Sequence, residues 1–538
     1  MVPPAPGSPP SAARSATDAP GAPGVFALPD DLTGEDVLER LAAAFVVRVC
    51  PTEPVDRTLL DTFDARLGRA GGLLWLERGP ESSSLQWRRG TLVTPPVPLR
   101  NGSAPAFSDE LPTDRLRDEI GPLADPRRLV PTVRLVGERR ALDILDRVRK
   151  TVARVVLDDR LAHGPGRRDG RRLPARLRLI PVRGYDEHRL VAAFLEQELG
   201  LTPIEDDEIE AALRCVGREP GLDPCTPRPL LTPDLPAEEA VRAVLKELLR
   251  VIRENEHGVD DARDIEFLHD FRVAVRQTRS VLGQIRDVLP DKIVERHSEE
   301  FRWLGQRTGP ARDLDVLTEQ WPELLSGLEP ELAADLAPVR ALLDAQRGAA
   351  RRRLTKDLGS ARYRRLVEGW AQALIRPVKG PERAELTIGE VASAAIERAW
   401  RRVRRKGRRL QDDAPAEHFH DLRIAAKKLR YLIALFGSLG GSGRTQEAVA
   451  VLKRMQNRLG DFNDACQQAD WLRAAARELR DDSRVEVGTL LAAGRLLERI
   501  EAGGARLQVA SREAFAVFDQ PQHRKLFTGL LKRGGKHR

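Results

Sequence analysis

HDFRVAVRQTR (His269–Arg279) and HDLRIAAKKLR (His420–Arg430) stand 151 residues apart, and the same offset relates LGQRTGPARD (Leu304–Asp313) to MQNRLGDFND (Met455–Asp464). No gap is needed in between. Identical pairs include His269/His420, Asp270/Asp421, Arg272/Arg423, Arg279/Arg430, Arg307/Arg458, Gly309/Gly460 and Asp313/Asp464, while Val273/Ile424 and Val281/Leu432 are substitutions in kind. Matches clustered in this way mark an internal duplication.

The apolar spacing around these segments is helical. It predicts helices over 237–254, 265–289, 292–306, 314–325, 331–356, 361–375, 386–410, 416–436, 446–458 and 467–479. Pro377–Arg383 interrupts the series, dividing it into halves at 237–376 and 384–538. Within the repeated segments, Phe271, Ala274, Val275, Thr278 and Leu282 form one stripe, and Leu422, Ala425, Leu429, Leu432 and Phe436 form its counterpart. Both stripes are expected to face the core.

A second stripe is cationic. His269, Arg272, Arg276 and Arg279 follow one another at intervals of 3, 4 and 3, one row on a helix face; His420, Arg423, Lys427 and Arg430 repeat it, with Lys428 alongside. The plain alternative is a solvated face. Solvated faces usually mix signs, however, because an opposite-charge pair one turn apart stabilises a helix by about 0.2–0.5 kcal/mol and a like pair costs as much. Two single-signed rows at matching positions therefore point to an anionic ligand carrying repeated phosphates, which cations about 5–6 Å apart can each meet. Each histidine leading a row can protonate beside such a ligand or donate a hydrogen bond while neutral. A metal held by His269, Asp270, His420 and Asp421 is the competing reading; consecutive residues point about 100° apart on a helix, which argues against it, and no metal is expected. Asp313 and Asp464 follow glycine-containing segments read as turns, and are assigned to helix capping or to holding an arginine of the row. Arg307, Arg312 and Arg458 are secondary cations. The run Arg401–Arg409 suits phosphate binding and solvent exposure equally.

Charge supports the same division. Residues 1–236 hold 33 Lys and Arg against 36 Asp and Glu, and the remainder 56 against 45, so the basic excess of the chain lies in its C-terminal part. At 538 residues the chain is long enough for two or three domains. Residues 1–24 read as a disordered Pro/Ala-rich tail without the features of a secretory signal. Residues 25–214 mix short strands, expected at 45–49, 72–76, 92–94, 154–157 and 177–182, with a helix at 188–199: an α+β domain. A Pro/Gly-rich linker over 215–236 separates it from the all-α part, 237–538. Cys50, Cys215, Cys225 and Cys466 have no metal or redox spacing, as expected of a reduced, cytoplasmic protein, and no apolar run reaches the ~20 residues of a membrane span.

With these motifs, 237–538 resembles the CHAD family, duplicated α-helical bundles around a basic central cavity. The resemblance implies binding of inorganic polyphosphate without catalysis and location at polyphosphate granules. Asn463 departs from the pattern, standing where the first half has Arg312. CHAD domains often follow a CYTH domain, a triphosphate tunnel of antiparallel β-structure. LLDTFDARLGRAGGLLWLERG (59–79), RVVLDD (154–159) and VRGYDEHRLVAAFLEQELGL (182–201) resemble a degenerate member. Active members bind divalent metal through alternating glutamates. The comparable strand here, Phe45–Val49, has no acid, and Leu179–Arg183 supplies none either. Few hard oxygen ligands remain for Mg²⁺, so the resemblance implies no catalytic residues, metal or cofactor.

The leading reading is therefore a polyphosphate-binding protein using His269, Arg272, Arg276, Arg279, His420, Arg423, Lys427, Lys428 and Arg430. A triphosphate or polyphosphate hydrolase in the N-terminal domain is the enzymatic alternative. RNA or DNA binding is a third; aromatic residues are 4% of the chain, little support for base stacking, and no specific nucleic-acid or membrane partner is expected.

Overall fold

The computed structural model describes residues 24–531 except 30, 81, 91, 101, 206–207, 376–380, 441, 483–484 and 529. The expected tail and most of the expected break between the halves thus lie outside the described residues. Two compact units divide between Asp223 and Pro224.

The first unit is built on an antiparallel sheet. Its centre is a long hairpin, Leu129–Leu145 and Thr151–His163, flanked by Arg176–Pro181 on one side and by Glu53–Thr62, Gly72–Arg78 and Ser83–Arg89 on the other. Apolar alternation at Leu59, Val133, Leu135 and Ala162 buries one stretch of the sheet. Helix His188–Gln197 packs on Val155, Leu177 and Leu179. The architecture is consistent with a CYTH-like fold. Strands at 47–49, 72–78, 92–93 and 176–181 overlap the expected ones, whereas Glu53–Thr62 and most of the central hairpin were not anticipated. These strands carry Arg57, Arg134, Arg139, Arg140 and Arg160, which obscure the alternation.

The second unit is all α-helical. Label its main helices α1 (Ala237–Glu256), α2 (Glu266–Gln284), α3 (Asp291–Leu325), α4 (Ala337–Leu358), α5 (Ala361–Ile375), α6 (Ile388–Gly407), α7 (Ala416–Phe436), α8 (Ser442–Arg480) and α9 (Val487–Phe518). The duplication is structural: α1 and α6 begin and end 151 residues apart. Before them the chain makes a reciprocal contact. Ala237 N–H donates to Leu386 O and Ile388 N–H donates to Leu235 O, both at 2.8 Å. Donor and acceptor exchange under the same offset, so a local two-fold axis passes between Pro236 and Thr387.

One core joins the repeats, with Phe271, Ala274, Val275 and Leu282 of α2 and Leu422, Leu429, Leu432 and Phe436 of α7 all at most 3% exposed. Each large apolar side chain so buried contributes about 1.5–3 kcal/mol. A second core gathers Leu317, Trp321, Val339, Leu343, Leu472 and Leu496, where the far ends of α3 and α8 meet α4 and α9.

The glycine-containing segments are not turns. α3 runs unbroken through Gly309 and Pro310, and α8 through Gly460. An interior proline costs about 3 kcal/mol, but Thr308 and Ala311 on either side are almost fully buried, and tertiary packing outweighs local propensity. Helix capping by Asp313 and Asp464 is thereby ruled out, since both lie far inside their helices.

Candidate functional site

α2 and α7 carry the two basic rows, and burial of their apolar stripes fixes where the rows point. Between the repeats, beside α3 and α8, is a cavity of about 230 Å³. Its lining is organised by the local two-fold. Arg272 and Arg423, Arg276 and Lys427, Asp313 and Asp464, Leu317 and Gln468, and Gln320 and Trp471 are all pairs 151 residues apart, and all border it. His269 and Arg312 also line it, without their counterparts.

The remaining residues of the sequence reading lie outside this lining. His420 is exposed, with Nδ1 2.8 Å from Asn463 Oδ1; an amide oxygen only accepts, so the ring carries its proton there and offers Nε2. Arg307 turns to Asp357 at 3.7 Å and Arg458 to Asp461 at 3.6 Å. Arg279 passes over α3 at Gly305, where a Cβ would come within 2.8 Å of its Nη1, so the absence of a side chain lets the guanidinium lie close. Lys428 and Arg430 flank the cavity on α7.

Inside the cavity, positive charge is held without full compensation. Arg272 Nη1 donates to Thr308 Oγ1 at 3.0 Å, and Arg423 lies 3.7 Å from Asp464. Arg276 and Lys427 form no ion pair among the described residues. The Nε–H groups of Arg272, Arg276 and Arg423 are buried and have no hydrogen-bond partner, an arrangement that costs free energy until an acceptor arrives. Burial, then repulsion from Arg423, Arg276 and Arg430, pushes the Lys427 ammonium down to about 7, against a partial offset from Asp464. Burial and Arg276 push Arg272 down to about 10. Asp313 is shifted the other way: burial raises it despite Arg272, Arg276, Arg312 and Arg423 around it. Desolvation thus dominates at all three groups.

Residues 243–473 match the model of the CHAD domain. The helical unit contains a CHAD domain. This family is associated with polyphosphate binding. Two uncharacterized proteins of Mycobacterium tuberculosis, from strains CDC 1551 and H37Rv, are each 27% identical to the chain over 509 residues, covering 88% of it and 94% of their own length. Among solved structures, the chain is similar to the CHAD domain from the plant Ricinus communis (28% identity, TM-score 0.46, 54% of this chain and 96% of that one). It is also similar to PptA from Streptomyces chartreusis (16% identity, TM-score 0.40, 52% of this chain and 100% of that one).

One end of the CHAD cavity is neutral and was not foreseen from sequence. Gln468 Nε2 donates to Gln320 Oε1 at 2.8 Å across the repeats, and Trp471 Nε1 donates to Gln346 Oε1 at 3.0 Å. The signal was present, since the 151-residue offset extends to Gln320/Trp471, but these pairs share no residue type.

In the first unit the fit to a divalent metal is poor. Its buried carboxylates are engaged by guanidinium groups: Asp158 with Arg160 (2.5 Å) and Arg139 (3.3 Å), Glu208 with Arg160 (2.7 Å), and Asp143 with Arg48 (2.5 Å) and Arg154 (2.6 Å). A hard cation would have to displace these arginines from those carboxylate oxygens. No helix among the described residues is long and apolar enough to cross a membrane.

Proposed function

We propose that the helical unit binds inorganic polyphosphate, without catalysis, in the cavity on its internal two-fold axis. The observation that carries this reading is the set of unpartnered Nε–H groups of Arg272, Arg276 and Arg423, aligned with Lys427 and His269 around one opening. A phosphate chain supplies what these groups lack: closely spaced oxygens that accept several charge-assisted hydrogen bonds at once. It also relieves the mutual repulsion that depresses Lys427. Asp313 and Asp464 keep the empty site from carrying the whole repulsion, and the amides at the neutral end limit how far an anion enters. Granule association follows as the cellular counterpart of such binding. In the first unit, the arginine-bound carboxylates favour a scaffold over a hydrolase.

Isothermal titration with long-chain polyphosphate tests the proposal. The wild-type chain is expected to bind, and replacement of Arg272, Arg276, Arg423 and Lys427 by Ala to abolish binding; unchanged affinity in that variant would overturn the site. Phosphate release from tripolyphosphate with Mg²⁺ or Mn²⁺ would overturn the non-catalytic reading.

A further inference from the structure

The cavity is not the end of the cationic surface. α6 follows α1 by the 151-residue offset, yet their outer faces differ in charge. Arg398, Arg402 and Arg405 stand on α6 where α1 has Glu247, Val251 and Glu254. Val251 is 1% exposed, whereas Arg398, Arg402 and Arg405 are exposed. The duplicated fold therefore does not require a basic stripe here; the second repeat carries it in addition.

The stripe lies against the rest of the site. Lys406 Nζ is 2.5 Å from Asp421 Oδ2, fixing the antiparallel register of α6 on α7. Two turns along α7 from Asp421, on the same face, is Lys428, and one turn back along α6 from Lys406 is Arg402. Gln284 at the end of α2 joins both: its Nε2 donates to Lys428 O at 3.3 Å, and Arg398 Nη2 donates to its carbonyl at 3.4 Å. Lys428 is held below the usual lysine range by burial and by the nearness of Arg402, Arg279 and Lys406. Arg279, Arg402, Arg405 and Lys428 form no ion pair among the described residues, and Asp421 is committed to Lys406. Adjacent like charges on a helix cost about 0.2–0.5 kcal/mol per pair, so solvation alone leaves such a band unfavourable.

We propose that Arg279, Lys428, Arg402 and Arg405 form a second anion station, outside the cavity, that holds the outer part of a long polyphosphate chain whose inner part lies among Arg272, Arg276, Arg423 and Lys427. The inference rests on the polyphosphate reading and adds to it a preference for long chains. From Arg398 to Arg405 the stripe spans about 10 Å along α6, a length that tripolyphosphate seated in the cavity does not cover.

Tripolyphosphate and long-chain polyphosphate are titrated into the full chain and two double variants, R402A/R405A and R276A/R423A, with folding checked by circular dichroism. R402A/R405A is expected to bind tripolyphosphate like wild type and the long chain roughly 3–10-fold more weakly, as for two exposed ion pairs, with a shallower salt dependence. R276A/R423A is expected to weaken both ligands. Long-chain affinity and salt dependence unchanged in R402A/R405A, or an equal loss for both ligands, would overturn the second station while leaving the cavity standing. Failure of the wild-type chain to bind either ligand would overturn both readings. R402E/R405E is a further check: it should weaken long-chain binding more than R402A/R405A, and an equal effect also counts against the station.

Discussion

Lys427 gives the sharpest test of the cavity. Its ammonium is pushed down to about 7 in the empty site by burial and by Arg423, Arg276 and Arg430, whereas an ordinary lysine titrates near 10.4. At pH 7 about half of the empty molecules therefore carry neutral Lys427. A bound polyanion reverses the local field and draws the group back toward its ordinary value, so binding takes up protons above pH 7. The sign follows: apparent affinity falls as pH rises, by up to about tenfold per unit, and by about fifteenfold between pH 7 and 8.5. Arg272, pushed down to about 10, stays largely protonated across this window and does not mimic the effect. Titration calorimetry in two buffers of different ionisation enthalpy measures the uptake directly. Expected values are about half a proton per site at pH 7 and nearly one at pH 8.5, with Lys427→Met weaker at pH 7 and flat across the window. A flat wild-type profile, or the same slope in Lys427→Met, would refute the electrostatic argument.

The same shift has the opposite sign for folding: an unfolded lysine binds more protons than the native one between pH 7 and 10.4, so native stability rises with pH there, and Lys427→Met should raise the melting temperature of the empty protein at pH 7. Calorimetric melting checks both effects. Replacing Arg276 and Arg423 together removes two charge-assisted contacts of about 1.5–3 kcal/mol each, a loss of at least about a hundredfold in polyphosphate affinity by titration. For tripolyphosphate, held in the cavity alone, the wild-type dissociation constant should grow with salt with a logarithmic slope near 3, from four cations at about 0.7 each; a salt-independent constant would contradict electrostatic binding. Asp315, 1% exposed, holds Arg347 at 2.7 Å and Arg351 at 2.6 Å, and Arg351 in turn donates to Val259 O and Asp261 O ahead of α2. Asp315→Ala leaves buried guanidinium groups unpaired and should cost about 3–5 kcal/mol in denaturant unfolding.

How far the site was legible depended on the range of the forces involved. Local periodicity assigned the apolar stripes of α2 and α7 and placed the basic rows off the core, because an angle of 100° per residue is set by backbone geometry alone. It misread Gly309-Pro310 and Gly460 as turns, since the burial of Thr308 and Ala311 that keeps α3 whole comes from other helices. In the first unit, Glu53–Thr62 and the central hairpin were obscured because arginines occupy strand positions whose acidic partners, such as Asp158 and Glu208, lie distant in sequence.

The sequence by itself determined that the helical part is duplicated, which residues repeat, and that both repeats present cations. Only the tertiary structure decided which of them share a cavity. Lys427 and Lys428 are neighbours of one residue type, yet packing of α7 against α2 and α6 turns one into the cavity and the other toward Arg402. That choice depends on how helices from different repeats meet about the two-fold axis, and no local pattern encodes it.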